Sequence, residues 1–491
     1  MSAGRLDPEV ERFFREGAGR GAAADLVKET PIAAVFLAGD VAWKLKKPVD
    51  FGFVDYSTLE KRRWAVGREL SFNRRHAPHI YRAALPVVLE AGRLRLGAPE
   101  EAAAAVEWAL EMRRFDEGAI LANAPARVHG AFAERIGREV AALQAGAEVK
   151  PRGGGTWALG FTVRSNAEQL RGLAPVLGEA AVARYLAEVE AAFAAAVPQL
   201  EARREAGLAR HCHGDLHLAN LVVEADGRFT PFDSIEFNDR LSDVDVGYDA
   251  AFLIMDLAFR GQRDGASRAL HGWLDAAARW QGDHAFTGLK LLPLFLSVRA
   301  AVRAHVSAHA DPAQGRAYLA AAQAHLEPGR AELRAVGGLS GSGKSTRARA
   351  LAPGLGASPG AVVLRSDEVR KRLWGAGPLD RLPGAAYAEG ESARVYGAML
   401  DEARLAMAAG RAVVLDAVFL RPQERAAAAE LARSEGAAFT GEWLHAPPDV
   451  LRARVAERRG DASDADVAVL ERQFALEPGP LGPGWTEAPA A

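Results

Sequence analysis

Short apolar runs at Ile32–Leu37 and Val41–Lys46 flank a tight Ala38-Gly39-Asp40 turn. Two such runs across a glycine-containing turn predict a β-hairpin. Ahead of it, the stretch from about Asp7 to Glu29 is expected to form a short helix and a loop. Beyond it, Tyr56 to Arg75 carries a helical pattern with Ser57 or Thr58 near its start. Leu85–Leu89, Arg93–Leu96 and Val106–Met112 read as strands. From Arg127 to Leu208 the pattern is helical, broken at Pro151-Arg152-Gly153-Gly154-Gly155, which is expected to be a mobile loop over an acceptor site. Leu221-Val222-Val223-Glu224 and Arg228-Phe229-Thr230 predict a second hairpin around Ala225-Asp226-Gly227. A strongly apolar segment, Val246 to Phe259, then leads into helices through Tyr318–Leu326.

At Glu327-Pro328-Gly329-Arg330 the helical pattern stops. Past this point short apolar strands at Leu333–Val336, Ala361–Leu364, Arg411–Leu415 and Gly441–Leu444 alternate with helical sequence. That alternation predicts a doubly wound parallel sheet with ligands at the C-terminal ends of its strands. The fold class is therefore α+β followed by α/β, in domains of 1–326 and 332–491. With 491 residues, the chain exceeds what one core supports.

Composition adds mostly exclusions. Hydrophobic residues make up 49% and charged residues 25%, and the net charge is −2. Mixed signs along the chain provide no basic footprint for nucleic acid. Cys212 is the single cysteine, so neither an internal disulfide nor a cysteine-rich metal site is available. No run approaches the roughly 18 apolar residues of a membrane span. The start, Met1-Ser2-Ala3-Gly4-Arg5-Leu6-Asp7-Pro8, lacks a signal-peptide apolar region, so a cytoplasmic protein is expected. The Pro/Gly-rich tail from Pro478 onward is expected to be poorly ordered. Nothing in the sequence sets an oligomeric state.

The chemistry concentrates in two places. His213-Gly214-Asp215-Leu216-His217-Leu218-Ala219-Asn220, followed by Pro231-Phe232-Asp233, sets an Asp, an Asn and a second Asp around the predicted hairpin. Phosphoryl transfer needs this set: Asp215 to orient the attacking hydroxyl, and Asn220 with Asp233 to hold Mg²⁺ at the ATP phosphates. Ala42-Trp43-Lys44 has the A-x-K pattern of a nucleotide-binding strand, where Lys44 reaches the α/β-phosphates. Lys46 shares its face, so both lysines stay open. Glu69 is the expected carboxylate partner, with Glu60 as the alternative. Glu111-Met112-Arg113-Arg114 forms the expected hinge, where backbone groups near Met112 meet adenine.

The second place is a complete G-x-x-x-x-G-K-[ST] loop between a strand and a helix, Gly338-Leu339-Ser340-Gly341-Ser342-Gly343-Lys344-Ser345, continuing to Thr346. Gly338, Gly341 and Gly343 let backbone N–H groups wrap phosphate oxygens. Lys344 would reach the β/γ-phosphates and the Ser345 hydroxyl would bind Mg²⁺. Asp367 and Asp416 fall at strand ends, Asp367 to bind or deprotonate an acceptor and Asp416 to support Mg²⁺ or its waters. Arg454 and Arg458 are spaced i,i+4 and would form a lid over the phosphates, with Asp461, Asp464 and Asp466 as partners when it is empty.

Two resemblances follow from these residues. The region up to about His325 resembles the aminoglycoside phosphotransferase family, whose fold is like that of protein kinases. It does so through His213-Gly214-Asp215-Leu216-His217, Asn220 and Asp233, with Lys44 and Glu69 also fitting. The resemblance implies Asp215 as catalytic base and Asn220 and Asp233 as Mg²⁺ ligands. A short Ala38-Gly39-Asp40 turn stands where a G-x-G-x-x-G loop would be. From about Glu332 the chain looks like the small P-loop kinases of gluconate, shikimate or polynucleotide 5′-hydroxyls, through Ser366-Asp367-x-x-Arg370 and Arg454/Arg458. The tandem is similar to bacterial fusions of an aminoglycoside phosphotransferase with an ATP-binding protein.

The leading expectation is an enzyme with two ATP- and Mg²⁺-dependent kinase domains acting on hydroxyls of small polar metabolites such as sugars or aminoglycoside-like compounds. One alternative is a polynucleotide 5′-hydroxyl kinase in the C-terminal half, against which the mixed charge speaks. The other is a regulatory protein kinase or nucleotide sensor. No membrane partner is expected.

Overall fold

The computed structural model describes residues 4–52 and 54–490. Met1, Ser2 and Ala3, part of the start searched for a signal segment, and Ala491 in the tail lie outside them. Contacts gather the chain into two units. The first holds residues up to Arg127 together with Glu148–Leu159 and Ala209–Asp245.

Its larger sheet is antiparallel and six-stranded: β1 (Leu26–Glu29), β2 (Ala33–Ala38), β3 (Val41–Lys46), β4 (Tyr81–Glu90), β5 (Arg93–Leu96) and β6 (Ala105–Arg113), in the order β1-β2-β3-β6-β4-β5. β1 lies where a loop was expected. It is a mostly exposed edge strand, so it carries no alternating signal. Phe14, Phe36 and Trp43 pack on one face, with ring centroids of Phe14 5.7 Å from Phe36 and 5.8 Å from Trp43. The helix Leu59–Asn73 starts after Thr58, whose hydroxyl accepts from Lys61 N, and it carries Glu69 against the sheet.

Four short strands complete this unit. β7 (Ala209–His211) pairs with β10 (Asp243–Asp245), and β8 (Leu221–Val223) pairs with β9 (Phe229–Pro231). Lys150 N donates to Ala209 O at 2.9 Å and Gly154 N to Asp243 O at 2.8 Å. A Cβ on Gly154 would sit 2.5 Å from Ala209 Cβ. The Pro151–Gly155 stretch is thus pinned against β7 and β10, and its glycines permit that approach, correcting the expectation of a mobile loop.

The second unit holds Val128–Ala147, Gly160–Leu208 and everything from Val246. Helices Gly130–Ala145 and Arg263–Gln281 cross closely, because a side chain on Gly137 or Gly272 would run into the other helix's backbone. Among the described residues one stretch, His284–Ala308, is long and apolar enough to cross a membrane, contrary to the sequence reading. Its apolar window is 72% buried inside this unit, where it packs as core.

After the helix Pro312–Leu326 comes a parallel sheet of β11 (Glu332–Gly338), β12 (Val362–Arg365), β13 (Val413–Asp416), β14 (Ala438–His445) and β15 (Trp485–Pro489), in the order β12-β13-β11-β14-β15. Asp416 on β13, between β12 and β11, pairs with Val336 on one side and Arg365 on the other. β15 corrects the expectation of a poorly ordered tail. Trp485 is buried against Gly441 and Phe439, and Arg425 donates to the carbonyls of Pro478, Pro480 and Leu481.

Candidate active sites

In the first unit Lys44 is the hub. Its Nζ lies 2.7 Å from Glu69 Oε1 and 2.5 Å from Asp233 Oδ1. Burial disfavours the ammonium, but the Asp233 and Glu69 carboxylates outweigh it and hold the pKa well above the ordinary lysine value. Lys46 also turns to Glu69, at 2.6 Å from Oε2, and to Glu236 Oε1 at 2.5 Å. The Tyr56 hydroxyl donates to the same Glu236 oxygen at 2.7 Å. The two lysines therefore share Glu69, and of the two Lys44 pairs with Asp233 while Lys46 pairs with Glu236. Glu60 is exposed on the first turn of its helix.

Asp233 sits at φ +61°, a strained backbone for a residue with a side chain. Two bonds hold it there: Asp233 N donates to the Tyr81 hydroxyl and Ser234 N to Asn73 Oδ1, each at 2.9 Å. Gly214, at φ +83°, packs so closely on Leu241 O that a Cβ would lie 2.7 Å away. His213 accepts from Asp215 N at Nδ1 and donates from Nε2 to Phe232 O at 2.9 Å, tying the loop to the Asp233 strand. Asn220 Nδ2 donates to Asp215 Oδ2 at 2.8 Å and to Asp215 O at 2.9 Å. With its amide nitrogen turned to Asp215, Asn220 keeps its carbonyl oxygen as an acceptor. His217 Nδ1 accepts from Ala219 N, which leaves Nε2 to face Asp215 Oδ2 at 3.4 Å. Met112 corrects the hinge reading. It lies inside β6, paired with Ala42 and Tyr81, and its side chain joins an apolar wall with Ala42, Val222, Phe115 and Phe232.

The second site lies at the C-terminal ends of β11, β12 and β13. Gly338, Gly341 and Gly343 have φ of +135°, +85° and +82°. A Cβ on Gly338 would lie 2.5 Å from Leu444 O and one on Gly341 2.7 Å from Leu451 O, so the loop needs glycine for space as well as for conformation. Ser342 is fully buried. The helix Lys344–Leu351 follows directly. Lys344 Nζ donates to Leu339 O at 2.9 Å. Burial lowers its pKa, and Asp416 and Asp367 only partly oppose that. Thr346 is exposed on the first turn.

Arg365 organises this site. Its guanidinium donates to Ser345 Oγ, Glu368 Oε1 and Asp461 Oδ1, each at 3.0 Å, and to Asp416 Oδ2 at 3.1 Å. Asp367 follows in the first helical turn and makes no side-chain hydrogen bond with the described residues. Desolvation raises its pKa, with Asp416 adding to the effect and Arg365 opposing it. The lid reading is corrected. The helix Pro448–Glu457 stops before Arg458, whose φ of −57° and ψ of 130° leave the helix, so Arg454 and Arg458 do not share a helical face. Arg454 is exposed, whereas Arg458 Nη1 is buried without a partner among the described residues. Asp461 pairs with Arg365, Asp464 with Lys371 and Asp466 with Arg381 instead of with the lid arginines.

With this geometry in place, comparison with known proteins is decisive. The uncharacterized protein Rv2004c of Mycobacterium tuberculosis is 33% identical over 464 residues, covering 90% of this chain and 88% of its own. Mb2027c of Mycobacterium bovis matches with the same values. The chain belongs to their family. Within it, residues 68–285 match the phosphotransferase enzyme family and residues 333–478 an AAA domain family. The protein is an ATP-dependent phosphotransferase with two kinase-type domains in tandem. Among solved structures, a choline/ethanolamine kinase family protein from Mesorhizobium loti aligns at 14% identity over 65% of this chain and 94% of its own, TM-score 0.37. A gluconokinase from Sinorhizobium meliloti aligns at 22% identity over 33% and 83%, TM-score 0.24.

Sequence reasoning passed over several members of this family protein's sites. Glu236, three residues past Asp233, is one of them; Lys46, open beside Lys44 on their shared strand face, is the cation that turns to it. Arg365 lies just past the expected Ala361–Leu364 strand and carried no expected role. Its place beside Asp416 follows from the parallel register of β12 and β13, which no local pattern carries.

Proposed function

We propose that this enzyme transfers the γ-phosphate of ATP to hydroxyl groups of small polar metabolites at two sites, in domains spanning 1–326 and 332–491. The observation that carries the reading is the convergence of Lys44, Glu69 and Asp233 in the same unit as the Asp215–Asn220 loop. The first site offers amide and carboxylate oxygens on Asn220 and Asp233, and the second hydroxyl and carboxylate oxygens on Ser345 and Asp416. Such hard donors fit Mg²⁺. At Ser345 and Asp416 the Arg365 cation already rests on the same oxygens. Held by these oxygens, Mg²⁺ would supply the charge neutralisation that phosphoryl transfer needs.

At the first site Lys44, held by Glu69, grips the α/β-phosphates, and the apolar wall of Ala42 and Met112 receives adenine. Asp215, fixed by Asn220 and His217, orients the acceptor hydroxyl and takes its proton. At the second site the amides of the Gly338–Ser345 loop and Lys344 cradle the phosphates. Asp367 takes the acceptor's proton, and Arg458 counters the charge on the transferred group. Two kinase sites on one chain suit successive phosphorylation of one molecule or of consecutive intermediates.

The test is ADP release from the full chain against sugars, aminoglycosides, nucleosides and oligonucleotides, beside Asp215→Asn and Lys344→Ala. An acceptor whose stimulation disappears in one variant identifies both the substrate class and the responsible site. Basal hydrolysis alone, unaffected by every acceptor, would move the reading to a nucleotide-dependent regulator.

A further inference from the structure

Glu134, His271 and Glu368 form a buried cluster within the second unit, their ligating atoms all within 4.8 Å of one another. The first two belong to the stretch matched by the phosphotransferase family and the third to the AAA-matched stretch. His271 Nδ1 lies 3.1 Å from Val363 O on β12. Its Nε2 lies 3.1 Å from Glu368 Oε2 and 3.6 Å from Glu134 Oε1. Both ring nitrogens thus face oxygen acceptors.

The cluster reaches the P-loop site along two lines. Glu368 Oε1 accepts from Arg365, whose guanidinium holds Ser345 Oγ and Asp416. Glu134 Oε1 accepts from Arg349 at 2.9 Å, and Arg349 projects from the helix that begins at Lys344. The carboxylates are also matched by guanidinium groups: Arg138 approaches Glu134 at 2.6 Å and Glu368 at 3.6 Å. Burial would raise the pKa of Glu368, but His271 and Arg365 outweigh it and hold the group well below the ordinary glutamate range. A carboxylate pair already neutralised this way favours an ion-pair brace over a transition-metal site.

We propose that His271 and Glu134 are positioning residues for the P-loop site. Through Glu368 and Arg365 they set Ser345 and Asp416, and through Arg349 they set the helix behind the phosphate loop. Nucleotide chemistry in the C-terminal half therefore depends on side chains from the phosphotransferase half. The inference rests on the reading of Lys344 and Ser345 as the nucleotide site.

The experiment uses the full chain carrying Lys44→Ala, so that nucleotide binding reports the P-loop site. Titration calorimetry follows a non-hydrolysable ATP analogue with and without Mg²⁺. His271→Asn keeps a donor for Val363 O and loses the contact with Glu368. It is expected to weaken Mg²⁺-dependent binding roughly tenfold or more, the range seen when the partner behind a metal ligand is removed, with Mg²⁺-free binding unchanged. His271→Gln, whose longer amide reaches Glu368, should recover most of the loss. If His271→Asn lowers the melting temperature, Glu134→Gln supplies the same readout through Arg349. Native Mg²⁺-dependent binding in the folded variants would overturn the proposal. So would a stoichiometric transition metal in the purified protein that His271→Asn removes. Lys344→Ala in the same background separates the two readings: if it too leaves binding intact, the nucleotide assignment has failed, and otherwise only the positioning role has.

Discussion

Lys44 Nζ and Asp233 Oδ1 stand 2.5 Å apart although 189 positions separate them in the chain. The pair joins the sheet carrying Lys44 to the strained turn carrying Asp233. Lys46, two residues on, makes its own pairs with Glu69 and Glu236 and is almost fully buried. The two lysines should therefore fail in different ways. Lys44→Met is expected to reduce first-site kcat/KM by about 10²-fold or more, because phosphate charge goes unmatched. Lys46→Met leaves Glu236 and part of Glu69 buried without a cation and should cost about 3–5 kcal/mol of stability. Steady-state kinetics and urea unfolding on both variants distinguish them, and equal kinetic losses would contradict the division of roles.

Asp367 is the second site's candidate base, and desolvation raises its pKa above the ordinary aspartate value. A base acts when deprotonated, so second-site kcat/KM should rise with pH along an acid limb displaced upward from the usual carboxylate range. Asp367→Asn should remove that limb and lower the rate by about 10²–10⁴-fold, the usual contribution of a general base. A pH–rate profile identical to the parent's would exclude the role.

The tail after Pro478 is structural. Trp485→Ala should destabilise the P-loop half by about 3–5 kcal/mol, the cost of emptying a buried aromatic position. Thermal unfolding followed by calorimetry checks it. An unchanged transition would mean that β15 contributes nothing to the sheet.

Three histidines should make the protein acid-labile. Burial lowers the pKa of His76, His305 and His325 from 6.5 to about 4. In the unfolded chain each binds a proton near 6.5, so the unfolded state holds more protons between these values and stability rises with pH. The contribution is complete above about pH 6.5 and drains away as the pH falls towards 4. Melting temperatures measured from pH 7 to pH 4 should fall across that window. A flat profile would show that the three sites admit protons without cost.

Where sequence and structure agree, the signal was contiguous. The β2–β3 hairpin, the helix carrying Glu69, the hairpin between Asn220 and Asp233, and the strand–loop–helix at Lys344 each lie within one local pattern of apolar spacing and glycine. The elements that escaped notice were those whose reason lies elsewhere in the chain. β1 is an exposed edge strand, β15 is a strand only because β14 offers an edge, and Pro151–Gly155 is glycine-rich because β7 and β10 come too close for a side chain.

The sequence by itself determined the class of chemistry, because phosphate cradles and the Asp–Asn–Asp arrangement demand fixed residue types at fixed short spacings. Only the tertiary structure decided how the charges are shared: which lysine faces Asp233, that Arg365 spans Ser345, Asp416 and Glu368, and that His271 reaches Glu368. Those choices depend on strand register and helix crossing, which bring residues as far as 189 positions apart within one hydrogen bond. Burial then turns each such meeting into a strong ion pair, since an unmatched charge in the interior costs far more than one in water.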